Sequence, residues 1–291
     1  MQRLIQAIQQ IFGSDNVLIN PIELPATPFG GVLLPKHGIA IHTVSLNSAF
    51  LHAVEGDFFA QWAALAEKQG WKPLQIWEDV WLAKEPLVLA HLNSLAEKSI
   101  KVFARNAVVR RISKPVADTF LNQHHLSGSS SARYKYGLFL KKTDELVGVA
   151  TFSPPRTYYR DKKPSRSFEL IRYGSKSGTN ITGGLSKVLK AFIGDVHPDD
   201  IMTYADCDWW TGRSYAPLGF KMVGHTPPQQ FWLHPDEKIR YLQKHLPQHI
   251  KEQLKSSTNI DETMIQLSYL PIYNSGNRKF LLSVDKHSQQ L

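Results

Sequence analysis

Between Thr203 and Phe220 the chain reads TYADCDWWTGRSYAPLGF, crowding Tyr204, Asp206, Asp208, Trp209, Trp210 and Tyr215 into one stretch. A phenol is an available proton donor at neutral pH, so Tyr204 or Tyr215 could protonate a leaving thiolate while Asp206 helps to position the reactants. The Trp209 and Trp210 indoles offer flat faces on which a nucleobase can stack. Plain packing suits the same residues: Tyr204 and Tyr215 as half-buried core aromatics, and the Trp pair beneath a lid.

A second chemistry-bearing stretch is FELIRYGSKSGTNITGGLSKVLKAF, from Phe168 to Phe192. It reads as a strand, a Gly-rich turn and a helix whose first turn carries Ser186 and Lys187. Unpaired N–H groups and the dipole at such a helix start can hold phosphate oxygens. Gly183 and Gly184 allow close backbone approach, and Lys187 adds positive charge. The spacing is not that of a nucleotide-triphosphate loop, which ends in Gly-Lys-Ser/Thr. A turn whose glycines serve only packing is the alternative. Glu169 and Arg172 are charged residues in an otherwise apolar strand, so each is expected to be paired or functional. Simple alternation puts them on opposite faces. His124 and His125 point to different faces of a helix, so at most one, taken as His125, is a candidate base; a structural histidine is the alternative. Arg156, Tyr158, Tyr159, Arg160, Lys162, Lys163 and Arg166 interleave cations and aromatics in a segment read as a loop. That is the pattern of a nucleic-acid contact, although a solvated loop explains it equally well.

The elements that must position these residues follow from periodicity. An amphipathic helix opens the chain at MQRLIQAIQQIFG, and two or three short strands follow up to about Leu46. A helix is expected over 49–69, a buried strand over 71–81, a helix with Pro86 in its first turn, and an extended segment over 100–113. A helix over 114–124 then precedes two antiparallel strands, a third strand (FELIRYGS), a helix from Leu185, the strand DDIMTYAD and a short helix at GRSYAPLG. Two closing strands come next, then helical stretches broken at Pro247 and a hairpin around Asn274–Asn277. The fold class is α/β (α+β), with an α/β domain over 1–112, a mixed, mostly antiparallel sheet with flanking helices over 113–235, and C-terminal helices and a hairpin over 236–291.

Composition narrows the partners. The chain has 291 residues, 42% hydrophobic and 20% charged, which suits globular folding. Lys and Arg number 34 against 25 Asp and Glu, a net charge of +9 that favours a polyanionic partner. A lone Cys207 rules out an internal disulfide and a multi-Cys metal cluster. Neither a signal-peptide pattern nor an apolar run of membrane-spanning length is present, so the expected setting is cytoplasmic with no membrane partner.

From about Lys114 to Leu233 the chain resembles a GNAT-type acyltransferase, the acetyl-CoA-dependent fold. FELIRYGS…TNITGGLSKVL is similar to its strand, pyrophosphate loop and helix, and GRSYAPLGF to the late helix whose Tyr protonates coenzyme A. A narrower resemblance is to phage-type Mom-like DNA-modification proteins. It rests on His125-Leu126-Ser127-Gly128, Glu169-Leu170-Ile171-Arg172, Thr203-Tyr204-Ala205-Asp206 and Gly212-Arg213-Ser214-Tyr215, in that order. The first domain resembles the very-short-patch-repair nuclease fold of the PD-(D/E)XK class, with GGVLLPKHGIAIHTVSL in the place of the active strand pair. The metal-binding Asp expected near Gly31 and the acid expected near His42 are missing; Glu78 and Asp79 belong to a later segment. Without those carboxylates a hard divalent ion lacks ligands, and no metal is expected.

The resemblance implies an acyl-CoA-dependent N-acyltransferase acting on nucleic acid, DNA in the first instance, at a base amine. Acetyl-CoA or another acyl-CoA would lie against Gly183, Gly184, Ser186 and Lys187. Tyr204, Asp206 and Tyr215 would position and protonate, and His125 or Glu169 would accept the amine proton. Arg172, Trp209, Trp210 and the basic 156–166 segment would meet the nucleic acid, with the target base out of its stack. The alternative is a non-catalytic DNA- or RNA-binding protein built from an inactive nuclease and a GNAT-like domain. An active homing-type nuclease is a third reading, against which the missing acids count.

Overall fold

Leu4, Ile8 and Phe12 recur at helical spacing and are the buried face of α1 (Gln2–Phe12). The computed structural model describes residues 1–160, 163–209, 212–255 and 257–284, with residues 49, 160 and 163 described by backbone alone. It divides into two compact units, neither continuous in sequence. One comprises Met1–Glu85, Asp206–Thr211 and His225–Asn277; the other comprises Pro86–Ala205, Gly212–Gly224 and Arg278–Leu291.

In the first unit, β1 (Leu18–Ile19), β2 (Gly30–Leu34) and β3 (Ile39–Val44) form an antiparallel meander, and β4 (Lys72–Trp77) joins β3 in parallel. The single helix expected over 49–69 is two, α2 (Ser48–His52) and α3 (Phe58–Lys68). The break includes Gly56, where an added Cβ would lie 2.9 Å from the Tyr273 ring, so close packing rather than helical propensity governs this point. Leu51, Phe59, Trp62 and Ala66 are buried as the periodicity predicts, whereas Phe50 and Leu65 are exposed. The strand expected to reach residue 81 stops at Trp77. There α4 (Glu78–Leu95) begins, with a non-helical Lys84 two residues before Pro86. Pro86 therefore falls early in the second helical segment, where a missing N–H costs little.

The second unit is built on the run β5 (Ile100–Phe103), β6 (Ala107–Arg111), α5 (Lys114–His124), β7 (Tyr134–Leu140), β8 (Leu146–Phe152), β9 (Arg156–Arg160), β10 (Lys163–Ser175), β11 (Thr179–Thr182), α6 (Gly184–Val196) and β12 (Asp200–Asp206). Beyond it come β13 (Lys221–Thr226), β14 (Gln230–His234), β15 (Ile239–Tyr241), α7 (Gln248–Leu254), α8 (Ile260–Gln266), β16 (Leu270–Tyr273) and β17 (Asn277–Ser283). An open mixed sheet runs β13-β17-β12-β10-β8-β7-β6, with β9 paired to β10. Its one face takes α6 through Val188, Leu189 and Phe192, whose ring stacks on Phe152 at 3.8 Å; the other takes α5 through Ala117, Phe120 and Leu121 against Val149.

Several elements depart from expectation. The described residues of the basic segment 154–167 are largely strand rather than loop: Thr157, Tyr158 and Tyr159 are strand formers and pair with Arg166, Ser165 and Pro164. The Gly-rich connection contains β11, which pairs in parallel with β5. GRSYAPLG is a turn closed by a 3-10 segment at Ala216–Leu218, too short for an α-helix. Ile239–Tyr241 is a strand beside β14, not a helix. The expected terminal hairpin is absent among the described residues, because β16 pairs with β14 while β17 lies between β13 and β12. Gly276, in a left-handed conformation, lets the chain pass close to Thr226 between those two strands.

Candidate functional site

The parallel pairing of β10 with β12 covers four positions, from Ser167↔Asp200 to Leu170↔Thr203. Both strands then run on, β10 to Ser175 and β12 to Asp206, with no further pairing between them among the described residues. At the last paired position the Thr203 hydroxyl donates to the Leu170 carbonyl at 3.0 Å. The Tyr215 hydroxyl lies 3.5 Å from the same Thr203 oxygen, so this phenol stands at the apex of a fork. Its ring packs on Phe220 and Phe280 at 5.3 and 5.2 Å, and Gly212 leaves room for Phe280. Burial raises the Tyr215 pKa, so it stays protonated throughout the neutral range.

A bulge beside the fork sets which residues share a face. On β10 the register against β8 jumps between Leu170↔Phe152 and Arg172↔Thr151, leaving Ile171 unmatched. Leu170 belongs to the α6-facing core, so Glu169 points to the opposite, α5-facing side. After the bulge an added Cβ at Gly174 would meet His125 and Leu121 of the α5 region, and Arg172 shares that side. Glu169 and Arg172 therefore lie on one face, a correction to the alternation expected from sequence. Glu169 pairs with Met202, so Tyr204, two residues on, also takes this face. Tyr204 is partly exposed, and its pKa is raised by burial first and then by Glu169 and Tyr158. Arg156 hydrogen-bonds the Tyr158 hydroxyl, which raises its pKa, and also feels Glu169 and Tyr204. Glu169, Tyr204, Arg156 and Tyr158 thus form one group, while Tyr215 and Thr203 are reached from the other face.

The start of α6 has a distinct shape. Gly183 adopts a left-handed conformation (φ 77°) as N-cap and contributes no side chain, so the first N–H groups have no side-chain cap. A Cβ on Gly184 would clash with the buried Tyr173 hydroxyl and would lie 2.8 Å from Ile181 Cγ2. Burial pushes that phenol up to about 12. Gly184→Ala is therefore expected to destabilise the second unit by about 1–3 kcal/mol, and Tyr173→Phe in the same chain to recover only part of the loss, because the contact with Ile181 remains. Denaturant melts of the two single and the double variant measure this; strictly additive effects would refute the clash. The Lys187 ammonium donates to the Ala104 and Ala107 carbonyls, tying α6 to the segment between β5 and β6. Ser186 is half-buried in the same first turn.

The remaining candidates are dispersed. His125 Nδ1 accepts the Ser127 N–H at 3.1 Å, which leaves the proton of the neutral ring on Nε2. Arg172 donates to the Gly128 and Ile171 carbonyls. Arg156, Tyr158, Tyr159 and Arg166 are exposed on β9 and β10, Tyr159 more than Tyr158. Lys162 and Trp210 lie outside the described residues, and of Arg160 and Lys163 only the strand backbone is described. Trp209 is 8% exposed, in line with the packing alternative rather than with an open stacking face. Asp206 accepts the Asp208 N–H at 3.0 Å in an Asx turn, and both belong to the first unit. Sequence reasoning missed Thr203 and Tyr173. Thr203 stood within the TYAD motif without a role, and β alternation over FELIRY would have set Tyr173 against α6 once the bulge was known.

In the first unit, His42 is fully buried, stacked on Trp62 at 4.4 Å and held by the Thr27 hydroxyl at 2.7 Å from Nε2. Burial lowers its pKa to about 3, so the imidazole is neutral. Its β4 neighbour Gln75 donates to the Phe59 carbonyl and to Ser275. An imidazole and an amide ringed by Phe29, Phe58 and Phe59 do not suit a hard divalent cation, which takes oxygen ligands. Among the described residues no group of three or more His, Cys, Asp or Glu is arranged to hold a metal, and no helix is long and apolar enough to cross a membrane.

No protein-family model matches the chain, and no curated protein does. Solved structures that it resembles include a histone acetyltransferase HPA2-related acetyltransferase from Corynebacterium glutamicum, at 13% identity, covering 62% of this chain and 98% of that one, with a TM-score of 0.36. A ribosomal-protein-S5-alanine acetyltransferase from Vibrio fischeri is 16% identical over 42% of this chain and 83% of its own, with a TM-score of 0.33. A GNAT-family acetyltransferase from Bacillus anthracis is 9% identical over 61% and 95%, with a TM-score of 0.31. The chain is thus similar in structure to acetyltransferases, at identities and TM-scores that by themselves assign it no activity.

Proposed function

We propose that the second unit is an acyl-CoA-dependent N-acyltransferase whose acceptor is an amine of a nucleic acid, of the Mom-like kind. The observation that carries this reading is the fork between β10 and β12, with the protonated Tyr215 phenol at its apex and Glu169 on the α5-facing side of the paired stretch that precedes it. A slender chain ending in a thioester fits between two strands that stop pairing. The uncapped start of α6, cleared by Gly183 and Gly184 and carrying Ser186, suits the pyrophosphate of the same molecule. Bound acyl-CoA supplies the acyl group as a thioester, whose C–S bond breaks as the C–N bond to the acceptor forms.

This chain's residues handle the protons. Glu169 accepts the proton released by the acceptor amine, a role His125 fills less well because its Nδ1 is already engaged as an acceptor. Tyr215 Oη holds the proton that the departing sulfur takes up. Tyr204 and Arg156 line the acceptor side of Glu169. Lys187, occupied by two carbonyls, contributes by fixing α6 rather than by meeting phosphate. The exposed cations and aromatics of the β9–β10 pair and Arg172 suit a polyanion carrying the amine. DNA in the cytoplasm is the acceptor this favours.

A second reading, a nucleic-acid-binding protein without catalysis, draws on the first unit: a nuclease-like order of elements around a neutral, ring-stacked His42. Calorimetry with acetyl-CoA separates the two. Saturable binding, together with an acyl-bearing nucleoside found by mass spectrometry only in cells that contain the protein, is the expected result. Absence of acetyl-CoA binding would end the acyltransferase reading.

A further inference from the structure

Outside that site, the first unit contains a cleft of about 740 Å³ between the start of β14, the segment after β15, and the α7–α8 pair. Lys244, Lys251 and Lys255 converge on it. Among the described residues none of the three forms an ion pair with a carboxylate. The nearby Glu252 is engaged with the Gln248 amide at 3.0 Å. The Gln230 amide nitrogen, which belongs to the same wall, is buried and has no acceptor among the described residues. Leu254 and Ile260 supply an apolar floor. The cleft therefore offers three lysine ammonium groups with no carboxylate ion pair among the described residues, and a patch for a nonpolar surface.

We propose that this cleft binds a single-stranded nucleic-acid segment through its phosphates. Lysines act as point charges toward phosphate, and the charge on the whole chain, +9, draws the same kind of ligand. Lys251 and Lys255 are spaced i,i+4 on and just beyond α7, so their Cβ atoms lie about 5–6 Å apart, a separation that successive phosphates of an extended strand can match. Lys244 faces them from the segment after β15. Amides and aliphatic groups, with no aromatic ring in the lining, make this a backbone-holding surface rather than a stacking platform. It is a separate contact from the β9–β10 pair and does not depend on acyl transfer.

The test is fluorescence anisotropy of a labelled single-stranded oligonucleotide titrated with the full chain across a salt series. Changing Lys244, Lys251 and Lys255 together to Glu is expected to weaken binding at low salt by at least about tenfold. It should also lower the slope of log affinity against log salt by about 2, from roughly 0.7 per single-strand phosphate contact. A control with the same charge change at the exposed Lys36, Lys68 and Lys142 should leave the slope near the parent's. Should the Glu variant misfold by circular dichroism, the Gln triple replaces it, with the same slope change expected. Equal loss in the cleft and control variants overturns the proposal, as does an unchanged slope or no binding by the parent. Displacement by polyglutamate as effective, charge for charge, as by unlabelled oligonucleotide overturns it in favour of an acidic peptide. Acetyl-CoA calorimetry on the cleft variant is expected to match the parent, so failure here and failure of the acyltransferase reading are distinguishable.

Discussion

Tyr215→Phe is expected to lower acyl transfer by about 10²–10⁴-fold, the usual contribution of a positioned proton donor, while acetyl-CoA still binds. The substitution is conservative for the fold because the ring's contacts with Phe220 and Phe280 need no hydroxyl. Among the described residues the lost oxygen's hydrogen-bond contact is Thr203, at a long 3.5 Å, and Thr203 retains its bond to Leu170. Burial raises the phenol's pKa from 10.0, so the parent should hold its activity through neutral pH and lose it on an alkaline limb above 10. The Phe variant, with no proton to lose, should lack that limb. Glu169→Gln supplies the complementary result: a comparable fall in rate with acetyl-CoA still bound. Steady-state rates against pH, with calorimetry on the same preparations, give both. Parental rates for Tyr215→Phe would remove the phenol from the chemistry.

Much of the local architecture around these candidate residues was legible in the sequence because it depends on local order. A strand, a glycine-rich connection, a helix and a second strand ending in TYAD can be read from periodicity and turn residues. Three features that depend on tertiary structure were not legible. The bulge at Ile171 moves Arg172 onto the face of Glu169, and nothing in FELIRY announces it, since a bulge answers to the partner strand. Tyr204 and Tyr215 looked like neighbours in one cluster, yet β12 turns Tyr204 toward Glu169 and Thr203 toward Tyr215. The segment from Asp206 onward is claimed by a different unit, where Gln75 N–H of β4 donates to the Asp208 carbonyl and Cys207 N–H donates to that of Gly276. Those partners lie far away in sequence, so no local window could reveal them. The same limit explains the strand pairing within 156–167 and β11: each segment is polar enough to pass for a loop and becomes a strand through the edge it meets.

Asp208→Asn is expected to stabilise the first unit at alkaline pH and to change little in acid. Asp208 is fully buried, accepts the Ser275 N–H at 2.9 Å, and sits beside Asp206. Burial, then the Asp206 charge, raises its pKa from 3.8 to about 7, against the lowering influence of Ser275 and Arg240. Between those two values the folded unit holds a proton that the unfolded chain has released. Stability therefore falls as pH rises from about 4 to about 7 and levels off above. At 1.36 kcal/mol per unit the full span is on the order of 4 kcal/mol, an upper bound for a carboxyl whose neighbour can share the proton. The Asn amide keeps an oxygen for the Ser275 N–H and has no charge to bury, so its stability curve should be flat where the parent's slopes. Asp206→Asn should recover part of the same difference by removing the repelling charge. Urea unfolding of the three proteins at pH 4.5, 6 and 8 gives the comparison. Parallel curves for parent and Asp208→Asn would mean that the carboxylate is ionised at little cost and that its burial does not govern the segment linking Tyr204 to Tyr215.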